Sequence, residues 1–468
     1  MSRSDDLALM AHLMRRAGFG ADRDELERLA DQGYEATVEQ LVDPPDSIPR
    51  ADEEELLRYM PSLETGGPVT DPGAANWLYQ LVNTGRPLEE KMTLFWHHVF
   101  ATGNSKVDND NHLITQVAMF RDHGMGNYRD LLVRIAQSPA MIYWLDNQEN
   151  HKRAPNENWG RELLELFSLG VGHYTETDVF ECARAFTGWT IAPKIPRQPN
   201  HRFSWSYEFR PEEHDYGEKT FLGHTGPFDG EDIIDIILEQ PACPRFIVRH
   251  LYNFFVADEA QVPAWSITPP GDPAAIELLA QTFVESGFEL KPVLRALFLS
   301  DFFKQARFAR VKSPVEVVVG TLRLTGDLSQ PDPSLPAVGQ QSAYMGQSLH
   351  NPPSVEGWQT GRDWINSGSV VNRINFVAQQ VGNTELPGVR RIVDRIAASN
   401  GSALTPEDLV DQCVDLIGPL AVSDDTRAEL VAHAAGEGPV AVNGDGALSR
   451  RVGEMLALIA ATPEYQFG

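Results

Sequence analysis

Apolar side chains recur every three to four positions along most of this chain, which is the spacing of a helix with one buried stripe. The pattern predicts helices over 5–17, 22–42, 52–60, 74–84, 87–101, 111–121, 127–137, 157–168 and 176–188. It returns over 231–255, 273–299, 314–325, 370–381, 388–398, 407–416, 425–434 and 447–461. One segment has a different period. In His201–Arg210, Phe203, Trp205, Tyr207 and Phe209 alternate with polar residues, as in a half-buried strand, and pairing with 218–222 would close a hairpin. The expected fold class is mainly α: a multi-helix globular protein with a small β-hairpin insertion.

Proline, glycine and acidic residues gather at 190–200, 257–272 and 327–338, which read as linkers. They suggest four successive parts: an N-terminal helical layer over 1–70, a main helical domain over 71–330 with the hairpin near 201–223, a motif-bearing connector and helix over 331–384, and a C-terminal helical layer over 385–468. A chain of 468 residues exceeds what one core usually serves.

Charge narrows the partners. Thirty-nine basic against 66 acidic residues leave a net charge of −27, a field that repels phosphate backbones and anionic lipid heads. Neither nucleic acid nor a membrane is an expected partner; a small or polymeric polar substrate is. No apolar run approaches the length of a membrane span. Asp5 and Asp6 precede the short apolar stretch near the start and Arg15 and Arg16 follow it, the reverse of a signal peptide, so a cytoplasmic location is expected. Cys182, Cys243 and Cys413 are scattered and odd in number, without zinc-binding spacing, and cannot hold a four-thiolate cluster. No nucleophile elbow, phosphate loop, HExxH or dinucleotide fingerprint occurs. Haem, flavin, nucleotide and iron–sulfur cofactors are therefore not expected, whereas paired carboxylates are compatible with a divalent cation.

Several segments resemble one family. His12-Leu-Met-Arg-Arg-Ala-Gly-Phe-Gly20, Lys91-Met-Thr-Leu-Phe-Trp-His97, Tyr143-Trp-Leu-Asp-Asn-Gln-Glu-Asn150 and Pro155-Asn-Glu-Asn-Trp-Gly-Arg-Glu-Leu-Leu-Glu-Leu166 are similar to the bacterial family catalogued as domain of unknown function 1800. Ala183-Arg-Ala-Phe-Thr-Gly-Trp189, His214-Asp-Tyr-Gly-Glu-Lys-Thr-Phe-Leu-Gly223, Val311-Lys-Ser-Pro-Val-Glu316 and Pro352-Pro-Ser-Val-Glu-Gly-Trp358 continue in that family's order. The resemblance implies no activity, because the family's name assigns none. Many members carry export signals, so it also leaves export open.

The densest chemistry lies in Asn156–Leu166. On a helical wheel Glu157, Arg161, Glu165, Asn158 and Glu162 share roughly 140° of arc, opposite Trp159, Leu163 and Leu164. Carboxylates one turn apart can act as general acid and base or ligate a cation. The structural alternative is that Asn156 caps the helix while Glu157–Arg161 and Arg161–Glu165 form one-turn pairs. His97 lies on a helix apolar almost all round, where an imidazole needs partners. Asp146 and Asn147 follow an aromatic run and could orient a substrate hydroxyl or a water, or simply turn the chain. His214, Asp215 and Lys219 share a glycine-bounded loop near Trp205 and Tyr207, suited either to a polar ligand or to a salt-bridged turn. Trp189 and Trp358, which close two of the family-like segments, join the binding candidates. Ser313-Pro-Val-Glu316 and Thr175-Glu-Thr-Asp178 read as helix starts.

The favoured reading is a hydrolase in which Glu162, Glu165 and Asp146 supply acid, base or water activation, assisted by His97 and His214, on a glycan-like substrate. The alternatives are a non-catalytic binding or assembly protein, and a metal-dependent enzyme with Glu162, Glu165 and His97 as ligands. The sequence does not determine the oligomeric state.

Overall fold

The computed structural model describes residues 2–61, 72–193, 205–401, 403–442 and 446–468. The fold is mainly α, with three small two-stranded antiparallel sheets among the described residues. The chain groups into two compact units. One comprises Met1–Leu88, Asp301–Ser348 and Thr360–Gly468; the other comprises Glu89–Ser300 and Leu349–Gln359. Each unit joins segments distant in sequence, a different partition from the four successive parts suggested by linker composition. No helix among the described residues is long and apolar enough to cross a membrane.

Three long helical stretches are broken where the backbone must turn. The 22–42 stretch becomes Arg23–Gln32 and Tyr34–Val42. Pro241, which lacks an N–H, separates Gly230–Leu238 from Ala242–Phe255. Pro273–Glu285 and Leu290–Leu299 are divided by Gly287 and Phe288, both at positive φ. At 327–338 the expectation of a linker is corrected in its second half: Leu335–Tyr344 is a helix whose proline lies in the first turn, where a missing donor costs nothing.

The strand expected from alternation is present as Trp205–Phe209; residues 201–204 of that segment lie outside the described residues. Its partner differs from the expected 218–222. Trp205–Phe209 pairs antiparallel with Trp189–Pro193, with Ile191 opposite Tyr207. Lys219–Phe221 instead makes its own tight hairpin with His224–Gly226. Alternation shows that a strand has one buried side, but not which edge it will meet.

In the unit built from Glu89–Ser300 and Leu349–Gln359, an aromatic core supports the candidate site. The Trp96 indole donates to the Gly124 carbonyl at 2.6 Å and stacks on Phe100, with ring centroids 5.1 Å apart. It also stacks on Tyr128, whose hydroxyl donates to the Phe167 carbonyl just beyond the Asn158–Glu165 helix. Phe167 and Phe186 in turn flank Trp159. Cys182, Cys243 and Cys413 are buried and unbridged.

Trp96 is fully buried and Tyr59 is 71% exposed. Trp96→Ala is therefore expected to cost about 3–5 kcal/mol in urea unfolding, from lost packing and the stranded Gly124 carbonyl. Tyr59→Ala should stay within about 0.5 kcal/mol of wild type.

Candidate functional site

The Asn158–Glu165 helix begins where Asn156 Oδ1 accepts the Asn158 amide at 3.0 Å. A run of asparagines fixes that start. The Asn156 amide donates to Asn150 Oδ1 at 2.9 Å, and Asn150 Nδ2 donates to Asn147 Oδ1 and to the Ala183 carbonyl. Asn147 Nδ2 reaches the Trp189 carbonyl at 2.8 Å. Asn147 and Asn150 are buried, so these amides satisfy main-chain groups that water cannot reach. Asn156 thus stands one residue ahead of the N-terminal cap position, which falls on Glu157, and Asn147 is a main-chain anchor.

One helix face is apolar and carries Trp159, Leu163 and Leu164; the other presents the charged candidates. Arg161 forms the expected one-turn pair with Glu157, at 3.2 Å. The pair expected with Glu165 is replaced by a fork–fork contact to Glu176, at 2.9 and 2.7 Å. Glu165 instead accepts the Tyr174 hydroxyl at 2.9 Å. Burial and the hydrogen-bonded Glu165 push the Tyr174 phenol up, keeping it a donor. The Glu162 carboxyl has no hydrogen-bond partner among the described residues, although its main-chain carbonyl accepts the Leu166 and Phe167 amides. Burial, the neighbouring Glu165 and, more weakly, Glu356 push its carboxyl up to about 7, with Arg161 opposing.

Next to this helix, Asp146 sits at φ +57° and pairs with Lys106 Nζ at 2.8 Å. Lys106 also bonds to the Trp144 carbonyl, and Asn158 Nδ2 donates to Asp146 Oδ2 at 3.3 Å. Tyr143, Trp144 and Trp205 are half-buried, with the rings of Tyr143 and Trp205 4.7 Å apart. A polar surface depression lined by Gln148, Glu149, His151, Asn156 and Glu157 adjoins the helix start.

The remaining candidates are placed elsewhere. His97 is fully buried, 5.3 Å from the Trp358 ring and 5.9 Å from His350 between ring centroids. Burial, then His350 and His98, hold it well below the usual imidazole range, so it is neutral. Trp358 is buried, and its amide donates to His98 Nδ1 at 3.1 Å. Trp189 packs into the core against Phe186 and Tyr207. His214, Asp215 and Lys219 are each tied down locally: His214 Nδ1 bonds to the Thr187 carbonyl, Asp215 pairs with Arg184 at 2.8 Å, and Lys219 Nζ donates to the Asp215 and Gly217 carbonyls. That is the geometry of a salt-bridged turn. Among the described residues no three His, Cys, Asp or Glu side chains converge to hold a metal ion, so Glu162, Glu165 and His97 are not a preformed ligand set.

Reasoning from the sequence missed Lys106, Asn150, Tyr174, Glu176 and Glu356. Only Asn150 lay inside a segment already singled out for its chemistry; Glu356 lay in a family-like segment but carried no local signal. The family model described as protein of unknown function (DUF1800) matches residues 12–467. No curated protein and no solved structure matches the chain.

The Arg184 guanidinium, with the Gly217 amide and in spite of partial burial, holds the Asp215 carboxyl below its ordinary 3.8. A depressed carboxylate contributes stability above 3.8 and loses it as pH falls through the folded value. Wild type should therefore lose its advantage over Asp215→Asn on acidification through that window, measured by unfolding midpoint against pH.

Proposed function

We propose that this chain, which belongs to the DUF1800 family of proteins of unknown function, is a hydrolase that uses Glu162 and Glu165 as an acid/base pair on a polar, glycan-like substrate. The observation that carries the reading is two carboxyls on one helix face in unlike surroundings. Glu162 is half-buried and its carboxyl has no hydrogen-bond partner among the described residues, while Glu165 is held by the Tyr174 hydroxyl. Such a pair divides acid and base roles, because the desolvated carboxyl keeps its proton near neutrality while its neighbour accepts one.

Glu162, pushed up to about 7, is assigned as the general acid that protonates a leaving oxygen, and Glu165 as the carboxylate that activates water. Lys106, Asp146 and Asn158 supply charged and amide tips for hydroxyl groups. The half-buried ring of Trp144 offers an apolar face of the kind that pyranose rings pack on, whereas the Trp205 ring is taken up by His112 and Tyr143. The turn at His214–Lys219, anchored to Thr187 and Arg184, and the packed Trp189 and Trp358 favour scaffold roles for those residues. They are left out of the substrate site.

The test is reducing-end release from neutral, amino and uronic oligosaccharides by wild type and Glu162→Gln. The variant should lose about 10²–10⁴-fold in rate with its unfolding cooperativity retained. A variant that hydrolyses as wild type does overturns the assignment, and a wild type that binds these sugars without cleaving them favours the binding reading.

Stability supplies a second check. A carboxyl raised from 4.5 to about 7 by folding contributes stability that is complete below 4.5 and lost as pH rises through about 7. Glu162→Gln removes that slope. Its unfolding midpoint should rise relative to wild type across this window and hold the gain above it.

A further inference from the structure

The 257–272 segment, whose composition reads as a linker, forms part of a groove in the unit of Glu89–Ser300 and Leu349–Gln359. Val262, Trp265, Ser266 and Pro270 line it from that segment; the 169–173 loop and the Ala242–Phe255 helix line it from the other sides. Its volume is about 650 Å³, within the roughly 300–1,000 Å³ of small-molecule sites. Gly170, at φ +81°, lies so close to Phe246 that a Cβ would come 2.9 Å from the ring. None of the residues assigned to the Glu162–Glu165 site lines this groove.

Asp and Glu account for 66 of the 468 residues, yet none of them lines the groove. Much of the lining is apolar, Leu169, Val171, Phe246, Val262 and Ile276 among it. Arg249 is the polar group built into it. Its side chain is only 8% exposed; Nε and Nη2 donate to Glu259 Oε2 at 3.0 and 2.7 Å, and its Cζ lies 4.5 Å from the centre of the Trp265 ring. The carboxylate and the ring together fix the guanidinium plane. Nη1, the remaining edge, has no hydrogen-bond partner among the described residues. Arg245, also in the lining, is held by Glu277 at 2.8 and 2.9 Å and donates to the Pro241 carbonyl. Each guanidinium thus has its own carboxylate behind the lining, so neither calls for an anion.

We propose that this groove binds a small, uncharged molecule, apolar over most of its surface, whose carbonyl accepts a hydrogen bond from Arg249 Nη1. The apolar walls drive binding through the area they take out of water. An anion would add unpaired charge beside two guanidiniums that are already neutralised, and a cation would meet them with no carboxylate in the lining. A carbonyl carries no net charge and takes up the open Nη1 edge. Because the guanidinium is held in place before the ligand arrives, little freedom is lost when it donates. A hydrogen bond from a charged donor then separates a carbonyl compound from a hydrocarbon of the same shape.

The experiment is equilibrium dialysis of the full chain against three probes of nearly one shape: methyl naphthyl ketone, isopropylnaphthalene, which lacks the acceptor, and naphthoate, which is an anion. Saturable uptake of one ketone per chain is expected, at least about tenfold tighter than either of the others. Ala242, half-buried where its helix begins, lines the groove, so Ala242→Trp should fill it and abolish uptake with unfolding cooperativity retained. Arg249→Met should weaken the ketone by about tenfold and leave isopropylnaphthalene unchanged. An arginine that merely supports the fold would weaken both probes alike. If Arg249→Met fails to fold for want of a partner to Glu259, the ranking of the three probes on wild type still decides. No saturable uptake of the ketone by wild type, isopropylnaphthalene or naphthoate bound as tightly, both probes weakened alike by a folded Arg249→Met, or uptake unchanged in a folded Ala242→Trp overturns the proposal.

Discussion

The candidate site depends on how closely the Asn158–Glu165 helix seats against the Glu176–Ala185 helix. At Gly160 the approach is backbone to backbone: a Cβ there would lie 3.1 Å from the Val179 carbonyl oxygen and 3.2 Å from the Ala183 amide. With that contact made, Trp159, Leu163 and Leu164 are buried and the helix has no freedom to rotate about its axis. Glu162 and Glu165 are then held on the opposite face. Arg161 is carried toward Glu176 on the neighbouring helix, leaving Glu165 to the Tyr174 hydroxyl. One close helix–helix contact thus sets the environments of three charged residues.

Buried polar groups divide into those that close on themselves and those that do not. The asparagines at 147, 150 and 156 and the turn from His214 to Lys219 spend their donors and acceptors on main-chain groups or on each other. Such networks rigidify a fold and leave little to offer a ligand. Glu162 differs because the desolvation of its carboxyl is not met by a hydrogen bond among the described residues. Free energy left uncompensated inside a folded protein is a more specific pointer to function than the presence of charged residue types.

The helices were legible because their signal is local. An apolar stripe at three- and four-residue spacing requires only neighbours along the chain, and nearly every expected helix is present, with errors at breaks and ends. The proline-rich 327–338 segment misled because proline both ends helices and starts them, and only the chain's exit direction distinguishes the two. Within the site, the shared face of Glu157, Arg161, Glu162 and Glu165 was legible from the same periodicity. The place of Asn156 at the start of that helix was legible, although the cap position itself falls one residue later, on Glu157.

By itself the sequence determined the helical class, the burial of the Pro87–Val99 helix and the clustering of carboxylates on one helix face, all consequences of residue order over a few turns. Tertiary structure decided the partner of the Trp205–Phe209 strand, the pairing of Arg161 with Glu176, the surrounding of His97 by His98, His350 and Trp358, and the approach of Glu356 to Glu162. Each of these depends on the distance between groups far apart along the chain. Electrostatic energy, desolvation and strand pairing follow that distance, and residue order constrains it only through the whole packed core.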